Sequence, residues 1–212
     1  DAKLETLRAA TVTTRELGGL IWIYTALDTE PDREPEVEET LLRPDVRVAG
    51  GAVEWNTHWT RAMENMLDWP HLPFVHRRTI GKGMLKRPDS RMDIHLEERS
   101  YGMHSTGTID GEAQPGSLDL RWPNIMTLSV TIARRMMMMQ VVCIPIDDRR
   151  TRLLLLSARD FMRWRILDPI FHRMNLRIAA EDKAIVESSS PSESPQSTER
   201  RASWRRSARS PG

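Results

Sequence analysis

The sequence predicts an α+β fold in which an antiparallel sheet is followed by one long C-terminal helix. Six strand-like segments follow one another between residues 91 and 158, separated by turn residues and with no helical pattern between them. Helical periodicity of apolar residues appears on both sides of this block, in residues 57–67 and 161–187. The length of 212 residues suits one domain, or one domain with a tail.

Charge and hydropathy exclude several classes of protein. The net charge is +1, with 39% hydrophobic and 29% charged residues, so nucleic acid is not the expected partner. The stretch from Ser189 carries five Arg against two Glu, a surplus of +3 that leaves −2 for the remainder of the +1 total. No run of 18 apolar residues exists, so no membrane span is predicted and we expect a cytoplasmic location.

The first 44 residues are predicted to form a strand followed by a linker. Asp1–Arg15 has only a weak helical or extended pattern, and the apolar run Glu16–Tyr24 predicts a strand. Thr29–Pro44 contains three Pro and many acids, which is typical of an exposed linker. Val46–Trp55 predicts a second strand, interrupted by a Gly-Gly pair.

The first helix is predicted over Thr57–Leu67, with Asn56 or Thr57 as its cap. The side chains of Trp59 and Met66 are expected to pack in the core rather than to take part in chemistry. The basic segment Arg77–Arg87 predicts a loop near the entrance of a site.

The sheet block has hairpin signals at Asp110-Gly111 and Asp147-Asp148. Its run of four Met, Met136–Met139, would place two side chains on each face of a strand, and we expect core packing there rather than the lining of a cavity. The predicted strands are Arg91–Glu98, Tyr101–Ile109, Ser117–Trp122, Ile125–Ala133, Met136–Ile146 and Arg152–Ala158.

The C-terminal helix is predicted over Phe161–Glu187, with Pro169 in a first turn. Two acids, Glu181 and Asp182, interrupt its apolar stripe beyond Ile178. A buried carboxylate is costly unless it is paired or bound to a metal. Periodicity alone does not show which of the two acids is the buried carboxylate. The alternative is that both lie on an exposed acidic face of the helix.

His71 and His76 form the candidate metal-binding pair. Five residues apart on an unbroken helix, they would point about 140° apart, too far to bind one ion. Pro73 interrupts the helix, so a helix ending near His71 followed by a new turn can bring the imidazoles together. Asn65, Asp68 and His71 step by three, so Asp68 could accept a hydrogen bond from the second ring nitrogen of His71.

Two imidazoles and one carboxylate are the ligand set of mononuclear non-heme Fe(II) oxygenases. The alternative is that His71 and His76 are ordinary core or surface residues that bind no metal. The remaining histidines have no partner at a convincing spacing; they are His58, His95, His104 and His172.

The pattern Asn65-x2-Asp68-x2-His71-x4-His76 closely resembles the iron-binding segment of Rieske-type ring-hydroxylating oxygenase α subunits. It is most similar to the monooxygenase and O-demethylase branch that includes the pheophorbide and vanillate-type enzymes. Residues 180–187 resemble the C-terminal carboxylate segment of that family, and Glu16–Tyr24 resembles the segment that closes its Rieske domain. The resemblance extends from Gly18 to Glu187.

The resemblance implies a helix-grip fold of the START type, with a curved antiparallel sheet wrapped around the long C-terminal helix. It implies that His71, His76 and Asp182 hold one Fe(II), and that Asp68, positioned by Asn65, links His71 to the Rieske cluster of a neighbouring subunit. The implied activity is O2-dependent hydroxylation or demethylation of a hydrophobic aromatic or cyclic substrate. It also implies an electron-donor protein and a possible homotrimer.

A Rieske centre needs two Cys and two His, and Cys143 is the single cysteine of the chain. A [2Fe–2S] cluster is therefore expected only on a partner or on a missing N-terminal domain. The expected organisation is a remnant of a Rieske domain in residues 1–28, a linker in 29–45, the iron domain in 46–188 and a disordered Ser/Arg-rich tail in 189–212. The alternatives are an iron-free module that binds hydrophobic ligands and an inactive truncated product.

Overall fold

The computed structural model describes residues 9–189, apart from residues 86 and 88. The predicted tail lies outside these described residues except for Ser189. The chain divides into two compact units, Asp1–Val46 and Arg47–Gly212. The interpretation of residues 1–28 as a remnant and of 29–45 as a linker stays a prediction. No helix in the described part of the chain is both long enough and apolar enough to cross a membrane.

The first unit contains a β-hairpin, in which β1 (Thr13–Leu17) pairs antiparallel with β2 (Leu20–Tyr24). The turn between them is made by Gly18 and Gly19, with φ of +65° and +76°. Such angles suit a hairpin turn of type I′, which glycine adopts without steric cost. The prediction of one strand over Glu16–Tyr24 was therefore wrong, because the Gly-Gly pair reverses the chain inside that segment.

The second unit is built on a seven-stranded antiparallel sheet. Each of the predicted strands is present, and their spatial order is β3-β9-β8-β7-β6-β5-β4. The bounds are β3 (Arg47–Trp55), β4 (Met92–Arg99), β5 (Gly102–Ile109), β6 (Glu112–Arg121), β7 (Ile125–Ile132), β8 (Arg135–Asp147) and β9 (Arg150–Arg159).

The hairpin between β5 and β6 turns at Asp110 and Gly111, as predicted, with φ of +52° and +80°. β6 begins at Glu112 rather than at the predicted Ser117. Pairing with β5 shifts register between Thr106 and Thr108, and this irregularity accommodates Pro115, which has no N–H for the ladder.

The first helix of this unit, α1 (Trp59–Leu67), is capped by His58, whose side chain accepts a hydrogen bond from the N–H of Thr60. The predicted caps, Asn56 and Thr57, were wrong. An imidazole nitrogen takes the place of the usual hydroxyl or carboxylate acceptor at this end.

The C-terminal helix is α3 (Asp168–Val186), with Pro169 in its first turn as predicted. Its predicted start at Phe161 was wrong by seven residues, since 168 − 161 = 7. Met162 has φ of +47°, outside the right-handed helical region, and a 3-10 turn over Arg165–Leu167 precedes the helix. Because Pro169 lacks an N–H, it suits the start of a helix and not its interior.

The core lies between one face of the sheet and the two helices. Alternate residues of β6 to β9 point to this face, so that Val141 and Leu155 pack with Met66 of α1 and Ala179 of α3. At Gly51 of β3 an added Cβ would lie 2.2 Å from the His172 ring, so glycine allows close approach of α3 to the sheet. This arrangement confirms the predicted α+β fold with a C-terminal helix against the sheet.

The N-terminal end of α3 is fixed by ion pairs. Asp168 accepts hydrogen bonds from Arg47 at 2.5 Å and from Arg159 at 2.7 Å. Arg159 is 1% exposed, and its guanidinium lies 4.1 Å from the centre of the Phe171 ring. The hydrogen bond from Arg47, supported by that from Arg159, outweighs burial and lowers the pKa of Asp168 to about 2.

Asp168→Asn is expected to lower the free energy of unfolding by about 2 kcal/mol near neutral pH, because it removes a charge that two arginines stabilise. A carboxyl group whose pKa is lower in the folded than in the unfolded protein stabilises the fold when the pH is above its unfolded-state pKa. This stabilisation is lost as the pH falls through its folded-state pKa. The difference between wild type and variant should therefore shrink as the pH falls from about 4 to about 2.

Urea unfolding at several pH values measures this effect. The control is Asp89→Asn, whose side chain is 82% exposed and which should change stability by less than about 0.5 kcal/mol. A pH-independent difference between wild type and Asp168→Asn would contradict the ionic role of Asp168.

Candidate metal centre

A broken helical segment presents the two central histidines. α1 ends at Leu67, Asp68 is extended with φ of −84° and ψ of 98°, and a 3-10 turn covers Trp69–His71. The end at Leu67 agrees with the predicted helix over Thr57–Leu67, whereas the expectation that a helix continues to near His71 was wrong, because Pro70 cannot donate to a carbonyl one turn earlier. The new turn at Pro73 is present as α2 (Leu72–Val75).

Trp69 anchors this segment to the sheet. Its ring is 3% exposed, and its Nε1–H donates to Oγ of Ser105 on β5 at 2.9 Å. A buried indole with a satisfied N–H gives a large apolar contact and fixes its orientation. The turn that carries His71 is therefore held against the sheet.

Three potential ligand atoms converge between this segment and α3. His71 Nε2 and His76 Nε2 are 3.3 Å apart, and Oδ1 of Asp182 lies 3.5 Å from the former and 3.0 Å from the latter. His76 is 1% and Asp182 4% exposed. The structure thus brings together the three side chains that the sequence predicted as ligands, and they form a group able to hold a metal ion.

The spacing of these atoms fits a metal ion. Bonds of about 2.1 Å at right angles put ligand atoms about 3 Å apart. Oδ1 of Asp182 is buried and accepts no well-aligned hydrogen bond from the described residues, although His76 Nε2 is close. A buried carboxylate oxygen without such a bond is costly, and a cation among the three atoms would satisfy it.

The electrostatics favour an ionised Asp182. Burial alone would raise its pKa, but the imidazoles of His71 and His76 outweigh burial and lower the pKa to about 2. Burial would likewise lower the pKa of His76, whereas the carboxylates of Asp182 and Glu181 raise it. The group therefore offers a negative carboxylate to a divalent cation, and a cation that binds there would displace the proton that the raised pKa of His76 favours.

Each imidazole is held through its other nitrogen. Nδ1 of His71 contacts the main-chain carbonyl oxygen of Asp68, and Nδ1 of His76 is 2.9 Å from Oε2 of Glu181. A proton on each Nδ1 satisfies both acceptors and leaves each Nε2 lone pair directed at the centre of the group.

Glu181 is a site residue that sequence reasoning did not assign. The sequence offered Glu181 and Asp182 as alternatives on one stripe, and the structure turns both toward His76, one to each ring nitrogen. Neighbouring helical residues point about 100° apart, which lets them flank one imidazole from two sides. Thr79, whose Oγ1 donates to Glu181 at 2.6 Å, gave no signal in the sequence.

The structure places Asp68 differently from its predicted role. Its carboxylate is 3.9 Å from Nδ1 of His71, beyond hydrogen-bond distance, and its side chain is 52% exposed. The main-chain carbonyl makes the contact instead, because the helix ends before Asp68 and the three-residue step to His71 is lost. Asn65 contributes to the lowered pKa of Asp182, and its buried Nδ2 makes no well-aligned hydrogen bond within the described residues.

An apolar cavity adjoins the three ligand atoms, with a volume of about 30 Å³. Met139 lines it, whereas Met138, 1% exposed, lies on the opposite face of β8. Met139 also packs against the hydrophobic core, so it serves core packing, as expected, and the lining of the cavity as well. Besides the three candidate ligands, the lining residues are Met66, Leu72, Ile80, Leu118, Met126, Leu128, Met139 and Ile178.

The remaining histidines lie elsewhere. His58 caps α1, His95 is exposed on β4, His172 packs at Gly51, and Nδ1 of His104 is 2.9 Å from Asp119. None of them belongs to the candidate metal group found among residues 9–189.

Comparison with protein families decides the assignment of the chain. Residues 55–208 match the family described as the vanillate O-demethylase oxygenase C-terminal domain. The chain belongs to this family. This confirms the resemblance to the catalytic domain of Rieske-type oxygenases, in the vanillate-type branch.

Relatives of this vanillate O-demethylase family member are longer proteins. Chlorophyllide a oxygenase, chloroplastic, from Chlamydomonas reinhardtii is 25% identical over an aligned length of 186 residues, and the alignment covers 81% of this chain and 28% of that protein. NdmA of Pseudomonas putida CBB5, solved with caffeine, superposes with a TM-score of 0.71 at 22% identity, over 92% of this chain and 60% of that one.

Dicamba monooxygenase bound to 3,6-dichlorosalicylic acid gives a TM-score of 0.67 at 16% identity, over 95% of this chain and 64% of that one. These structural likenesses support the helix-grip type of fold. The chain spans less than two thirds of the length of each of these three relatives.

Proposed function

We propose that this chain is the catalytic domain of a Rieske-type non-heme iron oxygenase. The observation that carries the proposal is the convergence of Nε2 of His71, Nε2 of His76 and Oδ1 of Asp182 within 3.0–3.5 Å of one another. Family membership supplies the reaction class, because the named relatives are oxygenases. The reaction would be O2-dependent hydroxylation or demethylation of a hydrophobic aromatic or cyclic substrate.

His71, His76 and Asp182 would hold the iron. When bound by two histidines and one carboxylate, Fe(II) supplies activation of dioxygen. The chain contributes a negative charge at Asp182, two oriented imidazoles and an apolar wall. Burial of His76 and Asp182 keeps bulk water from the ligand atoms.

The cavity supports an apolar substrate. Its walls beyond the three ligands are aliphatic and methionine side chains, which offer no strong hydrogen bond to a substrate. A volume of about 30 Å³ admits little more than one water molecule, so a ring substrate must displace side chains such as Met126 and Met139. Methionine has three rotatable side-chain bonds and adapts readily.

Electrons would come from outside this chain. Activation of dioxygen at one Fe(II) with hydroxylation of a substrate needs two external electrons, and one cysteine cannot hold a Rieske cluster. We infer a [2Fe–2S] donor on a partner subunit or on an N-terminal domain, delivering electrons near Asp68. The homotrimer and the cytoplasmic location stay predictions.

Asp68→Asn is expected to leave metal affinity within about twofold of wild type, because the main-chain carbonyl of residue 68, not the carboxylate, contacts His71. Reduction of the iron by a Rieske donor should slow by about tenfold or more, since the exposed charge is lost from the proposed electron route.

Stopped-flow reduction and a metal titration separate these two effects. Asp93→Asn is the matched control, because its side chain on β4 is 49% exposed, close to the 52% of Asp68. An unchanged reduction rate in Asp68→Asn would remove this residue from the electron route.

The proposed function is tested by loading the chain with Fe(II) under anaerobic conditions and supplying a cluster-bearing donor, a reductase and a panel of methoxy- and N-methyl-substituted aromatic compounds. Oxygen consumption coupled to hydroxylated product or released formaldehyde is expected for at least one compound, and its loss in His76→Ala. Tight binding of hydrophobic ligands by metal-free protein, with no product from any compound, would favour the iron-free binding module instead.

A further inference from the structure

The two candidate histidine ligands are held by acceptors of different charge. Nδ1 of His71 contacts a neutral main-chain carbonyl, that of Asp68, whereas Nδ1 of His76 lies 2.9 Å from the carboxylate of Glu181. A carboxylate accepts a stronger hydrogen bond than a carbonyl and makes the imidazole a better metal ligand. His76 is also the more deeply buried of the two, at 1% exposure.

Glu181 is itself fixed in place. Its Oε2 accepts a hydrogen bond from the hydroxyl of Thr79 at 2.6 Å and also faces Nδ1 of His76. Its Oε1 lies 3.8 Å from the guanidinium of Arg177. Because the two carboxylate oxygens face different partners, Arg177 does not compete with His76. The side chain of Glu181 is only 21% exposed, so water competes weakly for Oε2.

The position of Thr79 follows from the loop after α2. The N–H groups of Thr79 and Gly81 both donate to the carbonyl oxygen of His76, at 2.9 Å and 3.0 Å. At Gly81 an added Cβ would lie 2.0 Å from the carbonyl oxygen of Leu72, so only glycine lets the loop fold back this closely. The folded loop delivers the hydroxyl of Thr79 to Glu181.

We propose that Glu181, held by Thr79, is a positioning residue that fixes the tautomer and orientation of His76 and thereby tightens binding of a divalent metal ion at His71, His76 and Asp182. The inference rests on the proposed function, since it assumes that these three residues bind a metal. With both acids ionised, Asp182 would bind the ion directly, and the charge of Glu181 would lie behind His76, on the side of its Nδ1. His71, on its neutral carbonyl, is the less strongly held ligand.

The test is a set of variants of the 212-residue chain titrated anaerobically with Co(II), a spectroscopically visible divalent probe, and with Fe(II). Glu181→Ala should weaken binding by about 10- to 100-fold. Glu181→Gln should weaken it less, because the amide oxygen can still accept both hydrogen bonds but carries no charge. Thr79→Val, which keeps the shape and removes the hydroxyl, should lie between wild type and Glu181→Ala.

Glu187→Gln is the matched control. Glu187 follows the same helix and its side chain is 26% exposed. It accepts a hydrogen bond from the N–H of Asn56 at 2.6 Å and lies 3.6 Å from Nζ of Lys183, and neither partner is a candidate metal ligand. The glutamine can keep that bond, so metal affinity should equal that of wild type.

A second readout needs no metal. In ¹⁵N NMR spectra of the metal-free protein, at a pH where His76 is neutral, His76 should carry its proton on Nδ1 beside Glu181, and Glu181→Ala should shift that proton toward Nε2, which faces Asp182, while leaving His71 unchanged. A merely structural role for Glu181 would alter thermal stability without changing the tautomer of His76.

The outcomes separate this inference from the proposed function. Wild-type affinity in Glu181→Ala, with an unchanged His76 tautomer, overturns the positioning role and leaves the metal site standing. Absence of Co(II) and Fe(II) binding in the wild type contradicts the metal site, and this inference with it. If Glu181→Ala fails to fold, the near-isosteric Glu181→Gln and Thr79→Val decide, and wild-type affinity in both overturns the proposal.

Discussion

Asp182→Ala is expected to abolish stoichiometric iron binding, with an affinity loss of more than about 100-fold. Asp182 provides the one carboxylate oxygen of the candidate group, and that oxygen lies 3.0–3.5 Å from both imidazole nitrogens. Without it a divalent ion would face two neutral ligands in a buried, largely apolar site. The measurement is metal content after anaerobic reconstitution with Fe(II) and removal of unbound ion.

His71→Ala and His76→Ala should give the same result, because each removes one of the three ligand atoms. Asp93→Asn, an exposed acid on β4, serves as the control for the loss of a single carboxylate. Full iron stoichiometry in both His71→Ala and Asp182→Ala would show that the site assignment is wrong.

The isolated 212-residue chain, loaded with Fe(II), is expected to show no sustained turnover with NAD(P)H and a reductase. Cys143 is fully buried, and burial raises the pKa of its thiol to about 12, so it is not available as a cluster ligand. Multiple turnover should appear when a Rieske domain is added in trans or fused before residue 1. Oxygen consumption and product formation measured with and without that domain give the comparison.

The control for that experiment is a Rieske domain whose cluster cysteines are replaced by serine, which should restore nothing. Sustained product formation by the chain with reductase alone would overturn the requirement, and would mean that electrons enter without a Rieske donor.

Local sequence signals were sufficient for most of the sheet. The alternation in β5 to β9 and the turn residues Asp110 and Gly111 act within a few positions, so the chain carries this information locally. Errors arose where the backbone changes direction inside a segment whose pattern predicts one continuous element. Gly18 and Gly19 reverse an apolar run that otherwise resembles one strand, and Met162 adopts a positive φ that its residue type does not signal.

The candidate ligands were predicted because the pattern from Asn65 to His76 is compact. The orientation of Asp68 was missed, because the prediction assumed a continuous helix that Pro70 in fact interrupts. The pairing of His76 with Glu181 spans 105 positions and depends on how α3 rotates against the turn after α2. Periodicity fixes only which stripe of a helix is buried, so it could not distinguish the functions of Glu181 and Asp182.

Anomalous diffraction at the iron absorption edge, from crystals grown anaerobically with one Fe(II) per chain, locates the iron. One peak is expected within about 2.0–2.3 Å of Nε2 of His71, Nε2 of His76 and a carboxylate oxygen of Asp182. A single peak at another group of residues, or no peak at this site in protein that retains its iron, would contradict this expectation.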